Sequence, residues 1–101
     1  MKKHVNFPNN LAAHSFYDAI AAIKNPAEAQ QFLEDLCTPA ELEAMIDRWQ
    51  VVPLLIAEKS YQKIHDETGV SVTTVGRVAR CLAFGKGGYQ LIYERLIGKK
   101  K

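Results

Sequence analysis

The sequence predicts an all-α protein, and three observations carry that prediction. Apolar residues recur at helical spacing along most of the chain. Helix start and stop signals bracket those runs, and no stretch alternates apolar and polar residues between turn signals as a strand would. A chain of 101 residues with 48% hydrophobic content holds one packed core and is too short for two. The expected layout is an irregular arm over 1–10, which carries Pro8 and three asparagines, then a single helical domain over 11–97 and a basic tail over 98–101.

Each helix can be justified in turn. Leu11, Phe16, Ala19, Ile20 and Ile23 give a first amphipathic helix from Leu11 to Lys24. Asn25-Pro26-Ala27-Glu28 supplies an N-cap, a proline at the first helical position and a capping-box acid, so a second helix runs to about Leu36. Thr38-Pro39-Ala40-Glu41 repeats the device and opens a longer third helix, with Leu42, Met45, Ile46, Trp49 and Val52 on the 3.6-residue period. Pro53 falls inside that pattern, where it removes a backbone bond and predicts a kink or an early stop. Ser60 caps a short fourth helix, Tyr61 to Thr68, ending at Gly69; Ser71 caps a fifth, Val72 to Leu82, ending before Gly85. Gly87 and Gly88 break the chain, and Tyr89 to Ile97 forms a sixth helix with Leu91, Ile92 and Leu96 apolar.

The formal charge of +2 describes an ordinary protein, but its distribution is uneven. Met1 to Glu58 holds 4 Lys/Arg against 8 Asp/Glu, a net −4, whereas Lys59 to Lys101 holds 9 against 3, a net +6. Cys37 and Cys81 lie far apart with no His or Cys at a zinc-ligand spacing, so neither a metal site nor a disulfide framework is expected. No apolar run approaches the roughly 20 residues of a membrane helix, and the start is polar rather than an apolar signal core, which leads to the expectation of a cytoplasmic protein with reduced thiols. Enzyme chemistry has thin materials. Cys37, Cys81, His4, His14, His65 and Asp66 form no catalytic spacing, and no catalytic residue or cofactor is assigned.

The basic half contains the pattern of a helix-turn-helix, in which two short helices cross steeply and need interlocking inner faces. Ile64 and Thr68 give the inner face of the first helix, Gly69 the turn, Val70 the corner plug, and Val75, Val78 and Leu82 the inner face of the second. On the opposite face Thr73, Gly76, Arg77 and Arg80 fall at i, i+3, i+4 and i+7, with Ser71 and Val72 at the exposed start. Arginine can reach guanine edges or phosphate, and Thr and Val methyls can pack on thymine, so this face suits the major groove of double-stranded DNA. Ser60 and Lys63, with the amides opening the fourth helix, are placed to hold phosphates. Gly76 costs about 1 kcal/mol relative to Ala in a helix interior, which suggests close approach of a partner backbone or a tolerated variant. His65 stands where this motif normally has a small residue, so either the crossing is wider or His65 leans outwards.

These residues resemble the Trp repressor superfamily and, within it, the YerC/YecD-type Trp repressor-like proteins. The similarity covers roughly 36–89: Leu36-Cys37-Thr38-Pro39-Ala40-Glu41-Leu42-Glu43-Ala44, Arg48-Trp49, Ser60-Tyr61-Gln62-Lys63-Ile64, and Arg77-Val78-Ala79-Arg80-Cys81-Leu82 leading into Phe84-Gly85-Lys86-Gly87-Gly88-Tyr89. The resemblance implies a six-helix chain stable as an intertwined homodimer, whose two recognition helices meet half-sites about 34–36 Å apart. Phe16, Ile20, Ile23, Phe32, Leu33, Leu36 and Trp49 offer apolar surface that a dimer core would use, the alternative being a compact monomer core. In the family, corepressor lies between two arginines, which match Arg48 and Arg77; Thr38 also matches a pocket position. Val78 replaces a glycine that admits the indole and Cys81 replaces a serine near the ligand amine, which argues against tryptophan and leaves a small carboxylate or another amino acid as the effector class. For Arg48 the alternative is a surface salt bridge with Glu43 or Asp47, and for Arg77 a plain phosphate contact.

The function expected from the sequence is therefore a homodimeric, sequence-specific DNA-binding transcriptional regulator, a repressor, with effector control as a further expectation. The competing reading is a module of the same shape that docks another protein through the outward face and does not bind DNA.

Overall fold

The computed structural model describes residues 10–99. The expected arm and basic tail lie outside the described residues except for Asn10, Gly98 and the backbone of Lys99. Six helices follow one another: α1 Leu11–Ala21, α2 Pro26–Leu36, α3 Pro39–Ile56, α4 Tyr61–Thr68, α5 Val72–Phe84 and α6 Gly88–Lys99. No strand occurs among the described residues. The chain divides into two compact units, 1–38 and 39–101.

In the first unit the termini of α1 and α2 are set by local chemistry. The Asn10 side chain accepts the Ala12 amide at 2.9 Å and the Asn25 side chain accepts the Glu28 amide at 2.8 Å, each satisfying an orphan donor of a first turn. Glu28 reaches back to the Lys24 amide at 3.0 Å, one residue further than the expected box. That contact belongs to a chain that has already left α1, which ends at Ala21 rather than Lys24. Neither helix contains a buried residue: Phe16 is 42% exposed, and Tyr17, Ile20 and Leu36 are exposed as well.

The second unit holds the core. Val51, Val52, Ile64, Val70, Val75 and Val78 form its buried centre, with Trp49, Leu55, Leu82, Tyr89 and Tyr93 packed around them. Helix α3 packs against α4, α5 and α6, while α5 also packs against α4 and α6. Trp49 and Tyr89 join α3 to α6 with ring centroids 6.4 Å apart. Pro53 does not end α3, which continues to Ile56. The missing amide and the ring clash cost about 3 kcal/mol in a helix interior. Burial of Val51 and Val52 beside it, each worth about 1.5–3 kcal/mol, offsets that cost.

The helix stops instead through a six-residue exit. Glu58 adopts a left-handed φ of +64°, its amide donates to the Leu55 carbonyl at 2.9 Å, and the Lys59 amide donates to the Leu54 carbonyl at 3.1 Å. This is the Schellman arrangement with a glutamate where glycine is usual. Met45 and Ile46, expected on the apolar stripe of α3, remain exposed, as do Leu91, Ile92, Leu96 and Ile97 of α6.

Candidate functional site

Helices α4 and α5 are joined by Gly69, whose φ of +78° lies in the left-handed region that only glycine occupies without strain. Its amide donates to the His65 carbonyl at 2.8 Å and closes α4. Ile64, Val75 and Val78 are fully buried between the helices and Val70 plugs the corner, so the inner face predicted from spacing is the observed one. Leu82 is partly buried on the edge of the same cluster.

Three polar contacts that the spacing did not reveal lock the turn. The Thr68 hydroxyl donates to the Ile64 carbonyl at 2.7 Å and accepts the Val70 amide at 3.0 Å. His65 Nδ1 lies 2.9 Å from the Val70 carbonyl oxygen. A carbonyl only accepts, so Nδ1 carries the hydrogen. The bulk of His65 is thus accommodated by turning its half-buried ring onto the corner. The only signal was its place five residues before Val70, and nothing in an apolar pattern distinguishes that from a surface histidine.

Both N-caps are serines as expected. Ser60 Oγ accepts the Lys63 amide at 3.1 Å. Ser71 Oγ accepts the Thr74 amide at 3.1 Å and donates to the Thr74 hydroxyl at 3.1 Å. The Ser71 hydroxyl proton is therefore engaged within the chain, whereas that of Ser60 can still donate. The amides of Tyr61 and Gln62, and of Val72 and Thr73, precede the capped donor and, as first-turn amides, have no acceptor within their helix. On the outward side of α5, Val72, Thr73, Arg77 and Arg80 are exposed and Gly76 is half-buried. Lys63 on α4 is 62% exposed and lies 3.9 Å from Glu67, which Lys59 holds more closely at 3.1 Å. Such exposed pairs are worth less than about 1 kcal/mol, so Lys63 is readily given up to another anion.

Gly76 is not imposed by crowding within the chain. A Cβ at that position would stand 3.7 Å from Tyr61 Cε2, an ordinary van der Waals distance. Gly85 is different: a Cβ there would meet the Cys81 carbonyl oxygen at 2.5 Å, which explains the glycine where α5 ends.

Arg48, Arg77, Val78, Cys81 and Tyr89 line one cavity of about 300 Å³ between α3, α5 and α6. Three of the four residues matched to an effector site are thereby brought together, with Arg77 shared between cavity and outward face. Neither arginine has an ion-pair partner among the described residues, so the expected alternative of an Arg48 salt bridge to Glu43 or Asp47 is not formed. Thr38 is exposed and precedes Pro39 in the chain; it belongs to the first unit. Val78 is buried in the core while bordering the cavity, so its branched side chain occupies space there. Cys37 and Cys81 form no disulfide, and no cluster of three or more His, Cys, Asp or Glu suited to a metal ion occurs among the described residues. No described helix is long and apolar enough to cross a membrane.

Comparison with known proteins agrees with this geometry. The profile of the Trp repressor protein family matches residues 12–97. The uncharacterized protein YerC of Bacillus subtilis strain 168 is 35% identical over 80 residues, which cover 79% of this chain and 77% of its own. A crystal structure of a TrpR-like protein from Eubacterium eligens is similar with a TM-score of 0.81 at 35% identity, covering 87% of this chain and 91% of that one. A candidate Trp repressor from Staphylococcus aureus gives a TM-score of 0.82 at 34% identity, covering 87% and 88% of the two chains. Six helices with the tight Gly69 turn, and a family profile spanning nearly all of them, lead to one conclusion: the chain belongs to the Trp repressor protein family.

Proposed function

We propose that the protein is a double-stranded DNA-binding transcriptional regulator that represses by occupying its operator as a homodimer. The observation that carries this reading is the outward face of α5. Arg77 and Arg80 are exposed beside Val72, Thr73 and Gly76, on a helix held rigidly from behind by Val75 and Val78. Lys63 and the first-turn amides of α4 flank it and can meet phosphates, which positions the helix but carries no sequence information. The side chains on α5 then meet base edges in the major groove. Such a role is non-catalytic and places the protein with the DNA in the cytoplasm.

Dimerisation is supported by apolar surface that one copy leaves bare, chiefly Phe16 and Ile20 on α1, Met45 and Ile46 on α3, and Leu96 on α6. Exposure on this scale marks an interaction surface, and a two-fold pair would present two recognition helices to half-sites about 34–36 Å apart. The cavity bordered by Arg48 and Arg77 suits a small carboxylate, which two guanidinium groups can hold bidentately. With Val78 intruding, an amino acid or small acid less bulky than tryptophan is the effector class. Screening such compounds by thermal shift tests this, and uniformly flat shifts would retire it.

The experiment that tests the main reading is an anisotropy titration of mixed-sequence duplex at low salt, followed by selection of binding sites from genomic fragments. Binding with enrichment of a two-fold site is expected. No binding at low salt and no enriched site would overturn it.

A further inference from the structure

We infer that Tyr61 is a specificity-determining residue of the DNA interface, its phenol hydroxyl donating to a base-edge acceptor in the major groove beside Gly76; this rests on the DNA-binding reading above. Tyr61 opens α4, one residue after the Ser60 cap, yet its ring reaches across to α5. Cε2 lies where it would touch a side chain at position 76 in ordinary contact. Tyr61 also borders a groove of about 430 Å³ that Ala79 and Ala83 of α5 share with Leu55 of α3 and Gln90 of α6. The recognition helix is thus narrow along this edge, and the aromatic ring lies in the room that two small residues leave.

The chemistry at this edge is otherwise missing. Gly76 sits on the outward face between Thr73 and Arg80 and has no side chain to offer. Tyr61 is 47% exposed and its hydroxyl has no hydrogen-bond partner among the described residues. Its neighbours on α4 are engaged locally: Gln62 donates to Asp66 at 3.0 Å and Lys63 sits near Glu67. A phenol donor braced against Gly76 supplies the outward face with the polar group that the glycine lacks, and the stiff ring fixes where that group points.

The test uses the full chain and its Tyr61→Phe variant, which keeps the ring against Gly76 and removes only the hydroxyl, with Tyr61→Ala as a second variant. Affinities are measured at one salt concentration for a duplex carrying the selected site and for a mixed-sequence duplex of equal length, after thermal unfolding has established that each variant is folded. Tyr61→Phe is expected to leave mixed-sequence affinity unchanged and to lower the preference for the selected site by roughly two- to ten-fold, the worth of one hydrogen bond. An unchanged preference overturns the inference, and so does an equal loss on both duplexes, which would mean that the hydroxyl meets phosphate. Should Tyr61→Ala fail to fold, Tyr61→Phe decides alone. A wild-type protein that binds neither duplex overturns the parent reading along with this one, whereas wild-type selectivity retained in Tyr61→Phe overturns this one alone.

Discussion

Helices α4 and α5 bury their apolar residues within the chain, whereas α1 and α2 bury none of theirs. Ile64, Val75 and Val78 are inaccessible, and the turn between them is closed by side-chain bonds from Thr68 and His65. Phe16, Tyr17 and Ile20 on α1 are exposed although their spacing is as regular. The difference teaches that amphipathic periodicity specifies a helix and an apolar face but says nothing about whose surface covers that face. The helix-turn-helix buries its apolar face among the described residues, and α1 leaves its own exposed.

The contrast can be broken or sharpened by substitution. The largest expected effect is at the centre of the self-contained part: Ile64→Ala removes a fully buried side chain and should cost about 2–5 kcal/mol in chemical denaturation. A smaller but more diagnostic effect is expected from Phe16→Ala. Exposed in one copy, Phe16 should then matter by less than about 0.5 kcal/mol. Covered by a second copy, its loss should cost about 1.5–3 kcal/mol and lower the mass seen by sedimentation. The second result is the one our reading predicts.

Thr68→Val keeps the shape but strips the hydroxyl that accepts the Val70 amide and donates to the Ile64 carbonyl. About 1–3 kcal/mol should be lost, because a part-buried amide is left without its acceptor. At the small end, Glu58→Gly relieves the left-handed φ of +64° at the exit of α3 and should raise stability by about 0.5–1 kcal/mol. A fall in melting temperature there would contradict the Schellman account.

What was legible in the sequence follows the range of the interaction that decides it. Asn25, Ser60, Ser71 and Gly69 act within three or four residues, and each caps or closes the helix assigned to it. The inner face of the helix-turn-helix was legible for the same reason, since both helices and their turn lie within 25 residues, 60–84. Pro53 was misleading as a stop because tertiary burial of its neighbours outweighs a local penalty, and the true exit at Glu58 has no glycine to announce it. In the candidate site, the outward residues of α5 were readable from their spacing. The clamp of His65 on Val70 and the reach of Tyr61 to Gly76 were not, because each depends on how a side chain crosses from α4 to its neighbour.

The measurement that bears most directly on the claim that the outward face of α5 meets duplex DNA is the salt dependence of binding for wild type and for the Arg77→Ala, Arg80→Ala double variant. Wild-type affinity should fall steeply with salt, and the variant should lose at least about ten-fold with a slope shallower by about 0.9 for each phosphate contact removed. An unchanged affinity and slope in a folded double variant would contradict it.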